Sequence, residues 1–524
     1  MVLKYKPAMP STSPLTASNP TNTSQEVAEE ETINLLKGWP NPSLLPAKEL
    51  LEAAGKVLTD PAVFTSALLY GPDEGHQPLR EAVGDWLGDF YGTAVQQWRN
   101  TKSKTSNHSH TQASQDAFKI GPERITISGG ASQALGTILS AVTDPVVTRR
   151  VWIVAPAYFL SFKIFEDAGF AGRLRAVPEI SGSDEEDAAG PDVKWLRHQM
   201  ELADRAWEKS SAFSEPERLK PTPTTKFPKV FRHVIYCVPN FANPSSITTS
   251  VGVREELVRC AQDFDALLVC DDVYDMLQWP AQPSDTDHVG EAQMPRIVDI
   301  ERYMLAEAAN GHEDDSSFGN VLSNASFSKL SAPGARVGWV EAQPKLAFQV
   351  SQNGPTKSGG APSQMSSVLM TALVTSGILT KRITSILQPT YARRYRSMMS
   401  AINEHLVPLG FGLPQPGRDV IGGYFLWLSL PKKLQPRGPD FVQRAESEGK
   451  VIVSGGERCE VPGDELHSMR SDDAEEQWQL EADAERTKFT GYIRVCFAWE
   501  EEERLGEGIM RLARMAKIMM EDSH

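Results

Sequence analysis

The sequence predicts an α/β fold in which a large domain with a mostly parallel central sheet flanked by helices is joined to a smaller C-terminal α+β domain. Short β-branched and apolar runs, several of them apolar at consecutive positions, are typical of strands buried on both faces. Helical patterns lie between these runs, and strands that alternate with helices indicate a parallel sheet. The strand-like runs are ITIS (125–128), VWIVAP (151–156), HVIYCVP (233–239), ALLVCDD (266–272) and NVLSNAS (320–326).

The C-terminal third follows a different pattern, which predicts the second domain. It contains long helical stretches around 365–406, two strand-like runs at 422–430 and 492–497, and a final helix after Glu503. We therefore expect a disordered segment over 1–32, a large α/β domain over 71–345, and a small domain with interface segments from 33–70 and 346–524.

Composition narrows the classes of function. A length of 524 residues allows two or more domains, and a net charge of −15 argues against a nucleic acid or an anionic membrane as partner. The five cysteines are scattered and show no spacing typical of a metal site, which fits a reducing, cytoplasmic compartment. The N-terminus is rich in Ser, Thr and Pro and lacks the apolar stretch of a secretory signal.

Several polar tracts interrupt the framework and predict surface loops. We find no role for the acidic ones from the sequence. They cover residues 99–115, 180–192, 214–226, 282–293, 310–320 and 463–488.

Ligands of open α/β sheets bind at the carboxyl ends of the strands. Polar residues follow the predicted strands at these ends. A Gly-led turn that opens a helix, GGASQAL (129–135), comes after the first strand, and its backbone N–H groups suit a phosphate. Tyr158 follows the second strand and can stack on a flat ring. Asn243 follows the third strand. Each of these signals alone is also compatible with a turn, a cap or a core aromatic residue.

The fourth and fifth strands carry the residues with the strongest chemical signal. Asp271, Asp272 and Tyr274 end the fourth strand, and buried carboxylates require a cationic partner. Lys329 follows the fifth strand, with small hydroxyl residues before it and Arg336 after it. A single amine in such surroundings predicts a Schiff base to a carbonyl cofactor, although a strand end and turn that carries a lysine is the alternative. Five signals in order at one sheet edge favour a site.

With these residues, the chain resembles fold-type I pyridoxal-phosphate (PLP) enzymes of the class I/II aminotransferase family. Within that family it is most similar to a fungal group that resembles aminoadipate and aromatic aminotransferases. The resemblance implies the PLP-dependent transferase fold and pyridoxal 5'-phosphate as cofactor. The motifs that carry it are INLLKGWPNPSLLP (33–46), LLYGPDEGHQPLR (68–80), SGGASQAL (128–135), PAY (156–158), PNFANPSS (239–246), DDVY (271–274), SFSKLSAPGARVGW (326–339) and YIRVCF (492–497).

The resemblance implies a role for each motif residue on the cofactor side. Lys329 would bond to the aldehyde carbon and later carry the proton from the substrate Cα. Asp271, three residues before Tyr274 as in the family, would pair with the pyridine nitrogen in preference to Asp272. Tyr158 would stack on the ring. The residues expected around the phosphate are Gly130, Ala131, Ser132, Ser326, Ser328 and Arg336.

The resemblance also implies roles for residues on the substrate side and at a subunit interface. Asn243, together with Tyr274, would bind the phenolic oxygen of the ring and also line the substrate site. Arg494 would grip the α-carboxylate near the Gly38 backbone. Tyr70 and the loop 358–364 resemble elements that reach into a neighbouring subunit, which implies a homodimer.

The predicted function is a PLP-dependent transfer of the amino group of an α-amino acid to a 2-oxo acid. The alternative is a PLP-dependent lyase of the aminocyclopropane-carboxylate synthase or carbon–sulfur type, and a non-catalytic regulator with this fold is a further alternative. Two departures from the family pattern, Ser245-Ser246 after Pro244 and SGGERC (454–459), leave the amino donor and acceptor open. The motifs contain no second Arg dedicated to a side-chain carboxylate.

Overall fold

The structure is a computed structural model, and it describes residues 31–105, 118–181, 188–210, 219–220, 229–309, 317–413, 418–463 and 484–522. The strands are β1 (Ile33–Asn34), β2 (Ile125–Ser128), β3 (Arg150–Ala155), β4 (Leu174–Ile180), β5 (Gly190–Pro191), β6 (His233–Cys237), β7 (Ala266–Asp271), β8 (Gln278–Pro280), β9 (Val321–Ser326), β10 (Gly338–Ala342), β11 (Val420–Gly422), β12 (Phe425–Ser429), β13 (Val451–Ile452), β14 (Ser454–Gly455) and β15 (Tyr492–Cys496).

The α-helices have the following bounds within the described residues. They are α1 (Ala47–Thr59), α2 (Pro61–Leu68), α3 (Gln77–Thr105), α4 (Ala131–Val142), α5 (Phe162–Phe165), α6 (Val193–Ser210), α7 (Val251–Asp263), α8 (Ile297–Ala308), α9 (Pro344–Ser351), α10 (Gln364–Thr375), α11 (Ile378–Arg382), α12 (Gln388–His405), α13 (Gly438–Ser447) and α14 (Glu502–Glu521).

The central sheet has eight strands in the order β2-β10-β9-β7-β6-β3-β4-β5. The five strands from β9 to β4 pair in parallel, whereas β10 is antiparallel to both β2 and β9, and β5 is antiparallel to β4. Because β2 and the parallel strands point the same way, their carboxyl ends meet at one edge.

Helices cover both faces of this sheet, so alternate residues of each inner strand enter different cores. Val234 and Tyr236 of β6 pack into the core beneath α4 and α9. Ile235 and Cys237 pack into the opposite core, beneath α7 and α8. This burial on both faces explains why the strand was recognisable as a continuous apolar run.

A second, three-stranded antiparallel sheet, β12-β15-β14, belongs to the C-terminal part. Helices α12 and α14 pack against each other, and α13 packs against α14 and β14. The N-terminal strand β1 pairs in parallel with β13, so the chain from residue 33 joins this C-terminal part. The proposed residue boundaries of the two domains stay a prediction.

The predicted fold class is confirmed, and all five predicted strands of the large sheet are present within two residues of their predicted ends. Strands β4, β5 and β10 were not predicted. The surface loop expected over 180–192 was wrong at Gly190–Pro191, which are buried as strand β5. The prediction of a surface loop from residue 99 was wrong for 99–105, because α3 continues through Thr105; residues 106–117 lie outside the described residues. The N-terminal disorder prediction also falls outside them, up to residue 30. Among the described helices, none combines the length and apolar character needed to cross a membrane.

Candidate active site

The predicted site residues that follow the strands lie at the carboxyl edge of the central sheet, whereas Tyr70 is exposed and lies beside Gly359. The turn that holds Gly130 follows β2, Tyr158 follows β3, and Asn243 follows β6. Asp271 ends β7, and Lys329 lies three residues beyond β9. The parallel topology therefore brings together residues that are up to 199 positions apart in the chain, from Gly130 to Lys329.

Lys329 is the amine at the centre of this edge. Its Nζ donates a hydrogen bond of 2.6 Å to the carbonyl oxygen of Gly38 and lies 5.2 Å from the ring centre of Tyr424. Burial lowers the pKa of Lys329 to about 8, with a further lowering from the nearby positive charge of Arg494 and opposing contributions from Cys496 and Asp271. A pKa near neutrality provides the unprotonated amine that a nucleophile requires.

Asp271 faces the same side of the sheet as the helix that begins after Gly130. Its Oδ2 accepts a 2.7 Å hydrogen bond from the hydroxyl of Tyr236, while its Oδ1 is buried without a partner among the described residues. Burial raises the pKa of Asp271 to about 6 despite the hydrogen bond and the charge of Lys329, both of which lower it. A cation placed beside Oδ1 would satisfy this carboxylate.

Asp272, one residue later, faces the opposite side because successive strand residues alternate. Its Oδ2 accepts a 2.5 Å hydrogen bond from Ser323 Oγ. Its charge interacts with Asp275, Arg296 and Arg254, and burial together with Asp275 raises its pKa well above the usual range. Asp272 thus belongs to a separate buried cluster behind the sheet.

Aromatic and amide side chains also lie at this edge, and Lys329 Nζ is 6.0 Å from the ring centre of Tyr274. Burial and the charge of Asp271 raise the pKa of Tyr158, and the hydroxyl of Ser132 opposes this rise. Tyr274 is buried, with its ring 5.6 Å from that of Tyr424. Asn243 is buried and its Oδ1 accepts a 2.9 Å hydrogen bond from Nη1 of Arg494.

The first turn of α4 and the turn after Lys329 form an anion-binding corner. Gly130 precedes the helix with φ +95°, and a Cβ there would lie 2.5 Å from Nη2 of Arg336, so glycine permits the close approach. Arg336 donates to the carbonyl oxygens of Gly129 (2.5 Å) and Pro333 (3.0 Å) and to Ser328 Oγ (3.3 Å). Its cation has no carboxylate partner in the described part of the chain.

The anion-binding corner also contains four residues with small side chains: Ala131, Ser132, Ser326 and Ser328. Ser326 Oγ lies 2.8 Å from Ser328 Oγ and accepts a 3.1 Å hydrogen bond from the Ser328 backbone N–H. Ala131 and Ser132 begin α4, where unpaired N–H groups and the helix dipole favour a phosphate.

Arg494 lies on β15, opposite Trp427 of β12 and Ser454 of β14. It donates to Asn243 and, at 2.8 Å, to the carbonyl oxygen of Leu36, while its Nε is buried without a partner among the described residues. Its guanidinium carbon lies 4.2 Å from the ring centre of Phe425. The resemblance implied the Gly38 backbone beside this Arg; the carbonyl that it reaches is that of Leu36, and the Gly38 carbonyl binds Lys329 instead.

Residues 40–470 match the family model described as aminotransferase class I and II. The chain belongs to the aminotransferase class I and II family. Pyridoxal 5'-phosphate is therefore its cofactor, and α-amino acids and 2-oxo acids are its substrates.

The aminotransferase is similar to proteins from several organisms. It is 33% identical to the uncharacterized protein YER152C of Saccharomyces cerevisiae over 83% of the chain and 89% of that protein. It is 24% identical to a 2-aminoadipate transaminase of Thermus thermophilus over 92% of the chain and 89% of the relative. The structure of Pyrococcus horikoshii kynurenine aminotransferase superposes with a TM-score of 0.64 at 22% identity, over 94% of this chain and 92% of that one.

The site of the aminotransferase fits its cofactor. The unpartnered Oδ1 of Asp271 is suited to a protonated ring nitrogen, and Arg336 with the start of α4 is suited to a phosphate. The Lys329 amine, with its lowered pKa, is suited to the aldehyde carbon. Among the residues that the structure describes, none of these three groups forms an ion pair.

Several residues of the site were missed from the sequence. Tyr236 and Phe425 carry no motif, and their places beside Asp271 and Arg494 follow from strand pairing. One signal for Tyr236 was available in the sequence. Side chains alternate along a strand, and this alternation places Tyr236 of β6 on the same face of the sheet as Asp271 of β7. Phe159 had none. Arg458 lies in SGGERC (454–459), which departs from the family pattern, and its guanidinium carbon lies 5.3 Å from the Phe159 ring centre.

Proposed function

We propose that the aminotransferase uses the residues at this sheet edge to transfer the amino group of α-amino acids with large side chains, and that it works as a homodimer. One observation carries the proposal. Three groups lie near enough for their charges to interact: the amine of Lys329, the carboxylate of Asp271 and the guanidinium of Arg494. Oδ1 of Asp271 and Nε of Arg494 are buried without a partner among the described residues. The three groups match an aldehyde carbon, a ring nitrogen and a substrate carboxylate respectively.

The cofactor, when bound, supplies a protonated ring that withdraws electrons from the substrate Cα. In our proposal Asp271 holds the proton on the ring nitrogen, because a buried carboxylate favours a cation beside it. Lys329 takes the proton from the substrate Cα. The Gly38 carbonyl orients the amine, and burial keeps the pKa of Lys329 near 8, so that the amine is available as a base.

Arg494 positions the substrate in this scheme. Its stacking on Phe425 and its bond to Leu36 fix the plane of the guanidinium, which then presents Nε and one face to an α-carboxylate. Asn243 and Tyr274 hold the phenolic oxygen of the ring, and Tyr158 covers its face. The corner made by Gly130, Ala131, Ser132, Ser326, Ser328 and Arg336 holds the phosphate.

The surroundings of Arg494 support a preference for large side chains. Phe159 and Phe425 lie against its guanidinium, and the exposed Trp39 follows Gly38. Apolar aromatic walls reward the burial of apolar substrate groups. A 2-aminoadipate transaminase and a kynurenine aminotransferase among the relatives, named for large substrates, point the same way.

An apolar surface supports the homodimer. Leu51 of α1, Leu68 of α2, Leu69 and Tyr70 are 74%, 60%, 63% and 88% exposed, an unusual concentration of apolar side chains on one region of a surface. The ring of Tyr70 lies beside Gly359 of the loop 358–364. We propose that a second copy covers this region and receives Tyr70 in its site. We further propose a cytoplasmic location, which suits the five free thiols.

A panel of amino donors with 2-oxoglutarate tests the proposed reaction. We expect stoichiometric formation of a 2-oxo acid and glutamate, with aromatic and long-chain donors turned over faster than alanine. Ammonia must be measured in parallel. Consumption of the amino acid with release of ammonia, independent of any 2-oxo acid, would contradict transamination and indicate the lyase chemistry.

A further inference from the structure

Arg458 lies on a turn that strand pairing brings beside the candidate substrate site. The turn Gly456–Cys459 directly follows β14, whose Ser454 pairs with Arg494 of β15. The backbone N–H of Ala157 donates a 3.0 Å hydrogen bond to the carbonyl oxygen of Cys459. This bond ties the turn to the segment that carries Tyr158 and Phe159.

Two arginines approach the same aromatic ring. The guanidinium carbon of Arg458 lies 5.3 Å from the ring centre of Phe159, and that of Arg494 lies 5.9 Å from it. Arg494 is almost completely buried, whereas Arg458 is exposed. The site therefore has one fixed cation at its base and a second cation at its rim, separated by an apolar ring.

The backbone that carries Arg458 is firmly packed although its side chain is exposed. A Cβ on Gly456 would collide with the carbonyl oxygen of Phe489, and Cys459 is fully buried in the core beneath α4. The position of the Arg458 Cα is thus set by the fold. The long side chain remains free to adjust its guanidinium by rotation.

The charge of Arg458 is not neutralised by the described residues. It takes part in no described ion pair with an acid. The neighbouring Glu457 turns its carboxylate inward, with Oε2 buried, and Glu460 Oε1 accepts the backbone N–H of Phe489. Arg458 thus lies over the ring of Phe159, while both neighbouring acids are turned away from it. Its guanidinium can therefore bind an anion from outside the protein.

We propose that Arg458 binds the side-chain carboxylate of dicarboxylic substrates, such as glutamate and 2-oxoglutarate, while Arg494 binds their α-carboxylate. This inference rests on the proposed function of Arg494. The methylene groups of the substrate lie along Phe159, and each carboxylate is met by a planar guanidinium that can donate two hydrogen bonds. With an aromatic substrate, Arg458 rotates towards water and Phe159 contacts the substrate ring. One site can thereby serve two chemically different partners in turn.

Exchange of Arg458 for Gln tests the proposal, with Arg393→Gln as the matched control. Arg393 lies on α12 and pairs with Glu502, so its loss changes the net charge equally without touching the site. We expect Arg458→Gln to lower the ratio of kcat/KM for glutamate to kcat/KM for phenylalanine about tenfold to hundredfold, mainly through KM, because charge-assisted hydrogen bonds are lost. Arg458→Lys should recover part of this ratio. Arg393→Gln should leave it unchanged.

A binding measurement separates this inference from the reaction. Calorimetry of the PLP-loaded enzyme should show that Arg458→Gln weakens glutarate, a dicarboxylate, by a similar factor while valerate, its monocarboxylate counterpart, changes by less than about twofold. An unchanged glutamate-to-phenylalanine ratio, or equal weakening of glutarate and valerate, would overturn the role of Arg458. Absence of amino transfer in the wild-type enzyme would instead contradict the proposed function, and the glutarate-to-valerate comparison would still decide on Arg458.

Discussion

Replacement of Asp271 by Asn is the most discriminating perturbation of this site. Asn keeps the shape of the side chain and can still accept the hydrogen bond from Tyr236, but it carries no charge. Asp271 is buried and its Oδ1 has no partner among the described residues, so in our proposal the ring nitrogen of the cofactor is its counter-charge. The variant should therefore retain the cofactor, which the phosphate corner also holds, and lose electron withdrawal.

The magnitude follows from the burial of the pair. An opposite charge at contact distance typically shifts a pKa by about 1–3 units, and each unit corresponds to about 1.36 kcal/mol. Asp271 is desolvated, as its pKa of about 6 indicates, so we expect the upper part of this range. Loss of the carboxylate should slow proton removal from the substrate Cα by roughly 100- to 1000-fold.

Asp272→Asn is the matched control, because the two acids are adjacent and equally buried. Asp272 faces Ser323 behind the sheet, and its raised pKa means that a neutral amide replaces it at little electrostatic cost. Single-turnover measurements with a fixed amino donor, together with PLP content from absorbance, compare the variants. A severe loss in Asp272→Asn with a mild effect in Asp271→Asn would refute the reasoning.

Three further predictions concern Lys329, Arg494 and Tyr70. Uptake of PLP by the apoenzyme should accelerate as the pH rises through about 8, because the neutral amine of Lys329 is the nucleophile and burial lowers the pKa of that amine to about 8. The variant Lys329→Ala should hold no covalently bound cofactor at any pH. Arg494→Lys should raise KM for donor and acceptor alike, roughly tenfold to hundredfold, because an ammonium lacks the planar fork. If Tyr70→Phe is itself disabling, mixing it with Lys329→Ala should restore part of the activity, since one site of the mixed dimer is intact.

Each of these has an outcome that counts against it. A midpoint of cofactor uptake near the ordinary lysine pKa of about 10.4 would mean that Lys329 is not desolvated in solution. A defect confined to one half-reaction of Arg494→Lys would mean that donor and acceptor do not share this arginine. A fully active monomer in sedimentation experiments would remove the basis for complementation by Tyr70→Phe.

The strands of the central sheet could be predicted wherever their own residues are apolar at consecutive positions. Strands such as β6 and β7 are buried on both faces, and such strands appear in a sequence as short continuous apolar runs. Strand β10 escaped prediction because Gly338 and Glu341 break its apolar character, and its antiparallel pairing with β2 and β9 is a property of the assembled sheet. The helical continuation through Thr105 was equally hidden, since polar residues at the end of a long helix resemble a loop.

The sequence by itself determined the fold class, the family and the set of groups that the cofactor requires. These depend on short motifs whose residues are neighbours in the chain, such as Lys329 between Ser328 and Leu330. Only the tertiary structure decided which groups oppose one another. The pairing of Ser454 with Arg494 carries Arg458 to Phe159, and the alternation of β7 turns Asp271 towards Tyr236 and Asp272 towards Ser323. The physical reason is that strand register and sheet order depend on the packing of the whole core. A short segment of the sequence does not contain this information.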